Sequence, residues 1–362
     1  FCLSRGLGDV YKRQPPPFAL PTTENRQPTT VKLFPMKVVI AARNRFERFS
    51  WPGWATPKLR AEFPDVEFVE VQDATVLPAA LRDATVMIGP LRSAAALQAA
   101  TALRWVHTPT AAVHDLLFPE MVASPVVLTN GSSVHGSPVA EHALAMMLAL
   151  SRNIPEAVRY QVRHEWGQSA LGRAAVPVGE LRDSTVVLVG LGEIGRVLAL
   201  LLQALQATVL GVRRHAAEAV PGCNEVHPPA ALPALLPRAD YVVLAVPVTS
   251  DTRALIGDPQ LALLRPSARL VNVGRGELVD ESALLAALNS GRLAGAALDV
   301  FQHEPLPPES PLWDARNLLI TPHIAGITEA SWSRQVDVVI DNLHRFRRGE
   351  PLLYVVDKSR GY

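Results

Sequence analysis

A glycine-rich turn near the middle of the chain constrains the fold more than any other feature. Gly190, Gly192 and Gly195 have the spacing GxGxxG, directly after five apolar or β-branched residues at 185–189. An amphipathic helical pattern follows the turn, and a second strand-like run lies at 208–212. A strand, this turn and a helix in that order are typical of a dinucleotide-binding unit, in which the helix N-terminus faces the pyrophosphate. The segment therefore predicts part of a parallel sheet with a nucleotide cofactor at its edge.

Each glycine has a predicted role in that unit. Gly190 permits the tight turn, Gly192 lets the backbone approach the phosphates, and Gly195 lets the helix pack on the strand. A tight β-to-α turn without a ligand is the alternative, but it would not require three glycines in this register. We therefore predict that the glycines contact the cofactor, together with Glu193 and Ile194 between them.

Short apolar runs alternate with helical patterns rich in Ala and Leu over most of the chain. The runs lie at 37–41, 85–88, 105–107, 126–129, 185–189, 208–212, 241–246, 270–273 and 295–298. Strands that are apolar on both faces are typical of parallel sheets covered by helices. The length of 362 residues exceeds the roughly 100–200 residues of one ordinary domain. We therefore predict an α/β protein with two domains.

The composition is that of a packed globular protein. Hydrophobic residues make up 48% of the chain and charged residues 19%, with a formal net charge of +1, so neither a disordered chain nor a nucleic-acid partner is expected. The most apolar stretch, at 139–150, contains Glu141 and His142, and it is shorter than the ~20 residues that span a bilayer. A membrane partner is not expected either.

Cysteine and histidine spacing predicts no disulfide framework and no metal site. The two cysteines, Cys2 and Cys223, suit a reducing, cytoplasmic compartment. His303 does not begin a zinc-protease motif, because Pro307 stands where the second histidine would be required. Four other histidines are expected to pack in the interior or to lie at the surface: His107, His114, His135 and His164.

The first 35 residues differ from the rest of the chain. Residues 1–14 contain basic side chains but no apolar stretch of the kind that a secretory signal needs, and a Pro- and Thr-rich segment follows. The string SRGLGDVYKRQ resembles a translated cloning adapter, whereas Met36 opens a strand pattern. We expect the native chain to start at Met36, with a disordered leader as the alternative. Deleting residues 1–35 is predicted to leave activity and melting temperature unchanged.

Six motifs occur in the order that characterises one protein family. They are VAEH at 139–142 ahead of a long helix ending in Ser151-Arg152, the glycine fingerprint, ADYVVLAVPVT at 239–249, NVGRG at 272–276, DVFQHEP at 299–305 and TPHIAG at 321–326. From about residue 85 onward, the sequence resembles the D-isomer-specific 2-hydroxyacid dehydrogenase family. About 150 residues of the expected native chain precede the fingerprint, whereas in L-lactate and malate dehydrogenases it lies near the chain start.

The resemblance implies a fold of two Rossmann-like, doubly wound parallel-sheet domains. The cofactor domain is inserted into the substrate domain, so that the last segment returns to the first. On this basis the substrate (catalytic) domain covers 36–138 plus 325–362, and the dinucleotide-binding domain covers 139–324. The site is expected in the cleft between them. The family also implies a homodimer, and the apolar surface of the helix at 139–150 is consistent with pairing.

The resemblance also implies hydride transfer between NAD(P)H and a small 2-oxo acid to give a D-2-hydroxy acid, or the reverse. Arg275 suits the substrate carboxylate and carbonyl, because its planar fork binds carboxylates in a bidentate manner. His323 is the predicted proton donor, since an imidazole titrates near neutral pH. Glu304 is expected beside it, where a carboxylate favours the imidazolium and orients the ring. A surface ion pair for Arg275 and a core position for His323 are the alternatives.

Further contacts are implied by the same resemblance. Asp299 is predicted to contact the nicotinamide amide, with a local loop hydrogen bond as the alternative, and Pro247 and Thr252 are assigned to the cofactor site. Ala111 and Ala112 occupy a loop that resembles the family's carboxylate-cradling turn, although a Gly is usual in place of Ala112. A structural role is expected for His142.

The residues after the second fingerprint strand indicate which nucleotide is preferred. NAD-binding folds place an Asp or Glu about 20 residues beyond the fingerprint, where it binds the adenosine ribose. Arg213 stands 18 residues after Gly195 and is followed by Arg214 and His215, so no carboxylate is available there. The two guanidinium groups are predicted to bind a 2′-phosphate, which favours NADP(H) over NAD(H). The alternative is that both are solvated.

Two other functions stay open at this stage. One is a dinucleotide-sensing scaffold that resembles the C-terminal binding proteins, which act as corepressors with the same fold. The other is a formate or phosphite dehydrogenase of the same superfamily. Assays of several 2-oxo acids with NADH and NADPH distinguish these from the first hypothesis.

Overall fold

The computed structural model describes residues 36–42, 50–111, 113–173, 176 and 178–361. The predictions on residues 1–35 and on Ala112 lie outside the described residues. None of the helices in the described ranges is both long and apolar enough to cross a lipid bilayer.

The first sheet has five parallel strands in the spatial order β2-β1-β3-β4-β5. The strands are β1 (Lys37–Ile40), β2 (Glu67–Glu70), β3 (Val86–Ile88), β4 (Trp105–Thr108) and β5 (Val127–Asn130). Alternate side chains enter two separate cores, one containing Val39 and Val106 and the other Val38 and Trp105. Both faces of this sheet are therefore buried, as the apolar runs predict.

The second sheet has seven parallel strands in the order β12-β11-β10-β9-β6-β7-β8. They are β6 (Thr185–Val189), β7 (Thr208–Val212), β8 (Glu225–His227), β9 (Tyr241–Leu244), β10 (Arg269–Asn272), β11 (Gly295–Leu298) and β12 (Leu318–Ile320). Val187 and Val189 enter the core on one face, and Val186 and Leu188 enter the core on the other. This is the doubly wound arrangement expected from the sequence.

Helices cover the faces of both sheets. The α-helices in the described ranges are α1 (Ala55–Glu62), α2 (Leu77–Ala80), α3 (Ala94–Ala99), α4 (Pro119–Ala123), α5 (Gly136–Ser151), α6 (Ile154–Val162), α7 (Gln168–Gly172), α8 (Glu193–Ala204), α9 (Leu232–Leu235), α10 (Asp258–Leu261), α11 (Glu281–Asn289) and α12 (Glu329–Arg348). Short 3-10 segments lie at Ala74–Val76, His114–Leu116, Ser132–His135, Pro229–Ala231, Leu236–Arg238, Gly276–Leu278 and Pro311–Asp314.

The C-terminal segment returns to the first sheet. Val336, Val339 and Leu343 of α12 belong to the core beneath β1 and β4, and Val355 forms an antiparallel bridge to Thr129 of β5. The chain between β5 and α12, which builds the second sheet, is therefore an insertion into the first unit. The expected domain architecture is confirmed, while the predicted boundaries at 138/139 and 324/325 stay a prediction.

Three strands were not predicted, and all three are sheet edges. Strand β2 has exposed Glu67 and Glu70 at its ends, and β8 and β12 have three residues each. Strands β2 and β8 contain Glu and His side chains that interrupt an apolar run, as is common for strands paired on one side only. Strand β12 is a short apolar run whose pairing with β11 only the structure shows. The apolar-run criterion finds the central strands of both sheets and misses these edges.

The strand order of the second sheet reverses between β6 and β9. In open α/β sheets, ligands bind at the carboxyl ends of strands next to such a reversal. The fingerprint turn follows β6 at this point, and the residues after β10, β11 and β12 lie along the same edge of the sheet. The topology thus brings the cofactor motif and the 272–276, 299–305 and 321–326 motifs to one side of the molecule.

Candidate active site

The fingerprint turn requires glycine at its first and last positions. Gly190 has a φ of +104°, and a Cβ there would overlap the carbonyl of Ala245 at the end of the neighbouring strand. A Cβ on Gly195 would overlap the carbonyl oxygen of Gly190. The turn therefore packs β6, β9 and the first turn of α8 closely, which a larger residue would prevent.

Gly192 differs, because no heavy atom lies within 4 Å of the position that its Cβ would take. It precedes α8, whose first residues are Glu193 and Ile194. The first N–H groups of a helix lack intrahelical partners and carry partial positive charge. An open approach to such a terminus fits a pyrophosphate, so the residues present suit a dinucleotide.

Three adjacent strands carry the three predicted catalytic side chains. Arg275 lies three residues after β10, Glu304 lies in the loop after β11, and His323 lies three residues after β12. Because β10, β11 and β12 are parallel neighbours, their carboxyl-end loops lie side by side. Residues that are far apart in sequence are therefore brought to the same edge of the sheet.

The turn that carries Arg275 is held by the buried side chain of Asn272. Its amide nitrogen donates to the Arg275 carbonyl at 2.7 Å, and its amide oxygen accepts the Gly274 N–H at 3.0 Å. A Cβ on Gly276 would overlap the backbone of Phe301, so this turn packs directly against the loop that carries Glu304. The Asn-Val-Gly-Arg-Gly motif therefore holds Arg275 next to the loop that carries Glu304.

Burial lowers the pKa of Arg275, while Glu304, Glu277 and Asp115 oppose that shift. Guanidinium nevertheless keeps its charge at neutral pH. A half-buried cation of this kind attracts a small carboxylate more strongly than a fully hydrated one would.

His323 and Glu304 form a hydrogen-bonded pair. The distance between His323 Nδ1 and Glu304 Oε2 is 2.6 Å, and both side chains are partly exposed. The other carboxylate oxygen, Oε1, accepts the Phe301 N–H at 2.9 Å. Both oxygens of Glu304 are thus oriented, and an ionised carboxylate accepts only, so Nδ1 of His323 carries a proton.

Burial raises the pKa of Glu304, but the hydrogen bond and charge of His323 outweigh it. The Phe301 N–H and Arg275 act in the same direction as His323, and the pKa of Glu304 lies below its ordinary value. At neutral pH this carboxyl is therefore ionised. An ionised Glu304 can only accept hydrogen bonds, so it orients the His323 ring through Nδ1.

Asp299 is 1% exposed and binds the loop that carries His323. Its carboxylate accepts the Thr321 hydroxyl at 2.6 Å and the backbone N–H groups of Ile324 and Ala325 at 2.9 and 3.0 Å. These contacts are the local loop hydrogen bonds that the sequence raised as an alternative. The contact of Asp299 with a nicotinamide amide stays a prediction.

A cleft of about 690 Å³ contains these groups. Among its lining residues are six of the predicted site residues, namely Ala111, Ile194, Arg275, Asp299, Glu304 and His323. The loop at 109–111 comes from the end of β4 in the first sheet, and the other five residues come from the second. The cleft is therefore built by both domains, as the family resemblance implies.

The loop at 109–111 is tied to the segment after β5. Its three consecutive carbonyl oxygens accept hydrogen bonds at 3.0–3.3 Å from the side chain of His135, the backbone of Gly131 and the side chain of Asn130. A Cβ on Gly131 would overlap the Pro109 carbonyl. The backbone of this predicted substrate loop is thereby held at the cleft wall, while Ala112 lies outside the described residues.

Comparison with known proteins identifies the family. Residues 144–325 match the model of the NAD binding domain of D-isomer specific 2-hydroxyacid dehydrogenases. The chain is also 32% identical over 309 residues to glyoxylate reductase from Korarchaeum cryptofilum, a match that covers 84% of this chain and 88% of that protein. The chain belongs to the D-isomer specific 2-hydroxyacid dehydrogenase family. It is an NAD(P)-dependent oxidoreductase of that family.

Solved structures resemble this dehydrogenase over nearly its whole described length. An NADPH-dependent glyoxylate/hydroxypyruvate reductase from Sinorhizobium meliloti, in complex with NADP and sulfate, is 29% identical with a TM-score of 0.76, covering 90% of this chain and 100% of that one. A 2-hydroxyacid dehydrogenase from Xanthobacter autotrophicus Py2, in complex with NADPH and MES, has the same identity and TM-score, with 90% and 99% covered.

The remaining predicted cofactor residues of the dehydrogenase lie outside the cleft lining. Arg213 follows β7 directly and is partly buried, and Arg214 is exposed. The Thr252 hydroxyl donates to the Pro247 carbonyl at 2.7 Å and accepts the Thr249 N–H at 2.8 Å. The structure thus gives Thr252 a local role in the loop after β9, and its contact with a cofactor stays a prediction.

Sequence reasoning missed several residues that line the cleft of the dehydrogenase. His135 was expected to pack or lie at the surface, yet it borders the cleft, where burial lowers its pKa. Trp332 and Gln335 reach the cleft from α12, and Trp313 reaches it from the loop before β12. No motif surrounds these residues, so only the return of the C-terminal helix to the first sheet could have signalled the two on α12.

Proposed function

We propose that this dehydrogenase reduces small 2-oxo acids of the glyoxylate and hydroxypyruvate type, with NADPH as the preferred cofactor. The observation that carries the proposal is the position of one guanidinium, Arg275, and one paired imidazole, His323, on the lining of a single cleft. Reduction of a 2-oxo acid needs both, because a carboxylate must be held while a proton reaches the neighbouring carbonyl oxygen.

In this proposal Arg275 binds the substrate carboxylate and polarises the carbonyl. His323 donates the proton on Nε2 to the carbonyl oxygen, and Glu304 keeps the ring oriented through Nδ1 and stabilises its positive charge. The loop at 109–111 is proposed to bind the carboxylate from the other wall through backbone N–H groups. When bound, the nicotinamide supplies the hydride.

The substrate class is supported by the relatives. The similar proteins from Korarchaeum cryptofilum and Pyrococcus furiosus are glyoxylate reductases, and those from Salmonella and Pectobacterium are glyoxylate/hydroxypyruvate reductases. Similar D-3-phosphoglycerate dehydrogenases are covered over 44% and 42% of their length. A chemistry shared by these proteins is transfer of hydride at the carbon next to a carboxylate.

The test is a set of steady-state assays at neutral pH with NADPH and NADH. Glyoxylate, hydroxypyruvate, pyruvate and a branched 2-oxo acid are the reductive substrates, and formate and phosphite are supplied with NADP⁺ and NAD⁺. We expect the highest kcat/KM for glyoxylate or hydroxypyruvate with NADPH. Oxidation of formate or phosphite without turnover of any 2-oxo acid would overturn the proposal, and so would nucleotide binding without any turnover, the behaviour of a sensing scaffold.

The preference for NADPH rests on Arg213 and Arg214 at the carboxyl end of β7. This is the position at which NAD-binding folds carry an acidic residue for the ribose hydroxyls, and here two arginines stand there instead. The relatives from Sinorhizobium meliloti and Xanthobacter autotrophicus were solved with NADP and NADPH. We propose that the pair binds the 2′-phosphate through charge-assisted hydrogen bonds.

A homodimer is part of the same proposal. Ile154, Val158 and Val162 are spaced four residues apart along α6 with exposures of 48%, 48% and 76%, and Trp166 beyond the helix is 89% exposed. Residues at this spacing share one helix face, and an apolar stripe of this kind is expected to be covered in solution. We propose that a second copy of the chain covers this stripe in a symmetric homodimer, the assembly that the family resemblance implies. The cytoplasmic location stays a prediction.

A further inference from the structure

One buried polar side chain, Asp299, and two partly buried ones, His142 and Thr321, form a hydrogen-bonded chain behind the loop that carries His323. His142 Nε2 lies 3.0 Å from the Thr321 hydroxyl oxygen, which in turn lies 2.6 Å from Asp299 Oδ1. His142 is on α5, whereas the other two follow β11 and β12. The chain of three therefore joins a helix to the carboxyl ends of two strands.

The direction of each hydrogen bond follows from the chemistry of the groups. An ionised carboxylate can only accept, so the Thr321 hydroxyl donates its one proton to Asp299. The lone pairs of the Thr321 oxygen are then left to accept, and the proton of the remaining bond comes from Nε2 of His142. The arrangement thus requires a donor at position 142, and the imidazole supplies one on the nitrogen that is also 3.5 Å from Asp299 Oδ1.

Asp299 in turn binds the backbone on both sides of the proposed proton donor, His323. Besides the Thr321 hydroxyl, its carboxylate accepts the N–H groups of Ile324 and Ala325, and its carbonyl accepts the N–H of His323 at 2.8 Å. Three successive backbone N–H groups are therefore bound by one residue. Any rotation of the Asp299 carboxylate would release two of them.

The backbone at His323 needs such a restraint. Its φ is +52°, in the left-handed region that is unfavourable for a non-glycine residue. A conformation of this kind persists only where surrounding contacts hold it. In this loop Asp299 supplies contacts to three successive backbone N–H groups, with a further bond from the His323 N–H to the Thr321 carbonyl at 3.0 Å. The Asp299 carboxylate is itself bound by the Thr321 hydroxyl, which His142 contacts.

The helix that carries His142 also touches the cofactor motif. A Cβ on Gly136, the first residue of α5, would lie 3.3 Å from Glu193 Cβ at the start of α8. His135, directly before α5, binds the Pro109 carbonyl of the predicted substrate loop at 3.3 Å. Helix α5 is thus in contact with the fingerprint helix and the loop of His323, and the residue before it binds the predicted substrate loop.

We propose that His142 is a positioning residue for proton transfer, acting through Thr321 and Asp299 to hold His323 in its donating orientation. The proposal rests on the proposed role of His323 as the proton donor. It differs from a packing role for His142, because it requires a hydrogen-bond donor at position 142 and a hydroxyl at position 321. It also predicts that the loss falls on the chemical step and not on binding of substrate or nucleotide.

The experiment measures the single-turnover rate of glyoxylate reduction by saturating enzyme–NADPH complex, with steady-state KM, NADPH Kd and Tm measured on the same samples. Thr321→Val removes the hydroxyl at nearly constant shape, and Thr321→Ser retains it. We expect Thr321→Val to slow the single-turnover rate roughly ten- to a hundredfold, the range for small misplacement of a reacting group, with KM and Kd within about twofold. Thr321→Ser should restore most of the rate.

A second pair of variants tests the other end of the chain. His142→Gln keeps an N–H donor, whereas His142→Leu has none, so the Gln variant should be several-fold faster than the Leu variant at similar Tm. Ser184→Ala is the control, because the Ser184 hydroxyl makes a buried hydrogen bond of the same 2.6 Å length to the Leu181 carbonyl, just before the amino end of β6. This control should lower Tm without slowing single turnover.

Three outcomes would overturn the proposal: a Thr321→Val rate within twofold of the parent, equal rates for the Thr321→Val and Thr321→Ser variants, or equal rates for the two His142 variants. If Thr321→Val does not fold, the His142 pair decides alone. His323→Ala is measured in parallel. Undiminished turnover in that variant would contradict the proposed function itself, whereas a slow His323→Ala variant with a fast Thr321→Val variant would contradict only the role of His142.

Discussion

At the residue scale, the proposed chemistry depends on a single short hydrogen bond between His323 and Glu304. Glu304 is oriented from its other oxygen by the Phe301 N–H, and its pKa is held below the ordinary range chiefly by His323 against the effect of burial. Glu304 is therefore ionised around neutral pH, with both of its oxygens oriented. Substitution of either residue of the pair should therefore change the pH dependence of reduction more than it changes substrate binding.

Glu304→Gln is predicted to shift the pH profile of reduction. Removing the negative charge disfavours the imidazolium, so His323 loses its proton at a lower pH and reductive activity should decline at a lower pH than in the parent. Steady-state kcat/KM for glyoxylate between pH 5 and 9 measures the shift. His323→Ala is the reference, with a turnover roughly 10²- to 10⁴-fold lower at all pH values. An unshifted profile for Glu304→Gln would remove Glu304 from this role.

Arg213→Asp combined with Arg214→Ala is predicted to reverse or abolish the preference for NADPH. Each charge-assisted hydrogen bond to a 2′-phosphate contributes about 1.5–3 kcal/mol, so one bond alone corresponds to roughly ten- to a hundredfold in kcat/KM. The ratio of kcat/KM for NADPH and NADH at fixed glyoxylate measures the effect. Arg316→Ala, at an exposed arginine before β12, is the control. An equal kcat/KM of the parent enzyme for NADH and NADPH would indicate that both arginines are solvated and do not bind the 2′-phosphate.

At the scale of elements, the most consequential contact joins β4 to the C-terminal helix. His107 of β4 is fully buried, with Nδ1 2.8 Å from the Thr129 hydroxyl of β5 and Nε2 in contact with the Gln335 side chain of α12. Burial lowers the pKa of His107 to about 3. The ring is therefore neutral in the folded protein across the physiological range.

His107→Asn is predicted to reduce the acid sensitivity of the fold. An unfolded histidine takes up a proton below about pH 6.5, whereas folded His107 does so only near pH 3. The unfolded state thus binds one more proton than the folded state between these pH values. The free energy of unfolding is therefore about 2 kcal/mol lower at pH 5 than at pH 7 because of this residue. Urea unfolding at both pH values measures the difference. The variant should lose about 2 kcal/mol less than the parent, while exposed His164→Asn should behave like the parent.

At the same scale, sequence patterns predict the central strands but not three of the edge strands. The central strands of both sheets follow from apolar runs, because burial on both faces leaves little choice of side chain. Strands β2 and β8 do not, because polar side chains interrupt them, and β12 is a run of only three apolar residues. Their existence depends on the register of β1, β7 and β11.

At the scale of the whole molecule, the exposed stripe of α6 predicts the oligomeric state. Val158→Glu combined with Val162→Glu places two charges on that stripe and should convert the proposed dimer to a monomer, since like charges would face each other across a symmetric interface. Light scattering coupled to size-exclusion chromatography measures the mass. Val76→Glu, at a valine that is 51% exposed outside this stripe, should leave the mass unchanged. A monomeric parent protein would contradict the proposal.

The sequence by itself determined the fold class and the family, and it predicted the three side chains of the proposed mechanism. These depend on short-range constraints: Gly190 and Gly195 are required by close backbone contacts, and Arg275, Glu304 and His323 occur in motifs at strand ends. Only the tertiary structure showed that the Arg275 turn packs on the loop of Glu304, that α12 returns Trp332 and Gln335 to the cleft, and that His142 reaches Thr321 across 179 positions of sequence. Such contacts are set by how sheets and helices pack, so the residues that make them obey no local spacing rule and carry no motif of their own.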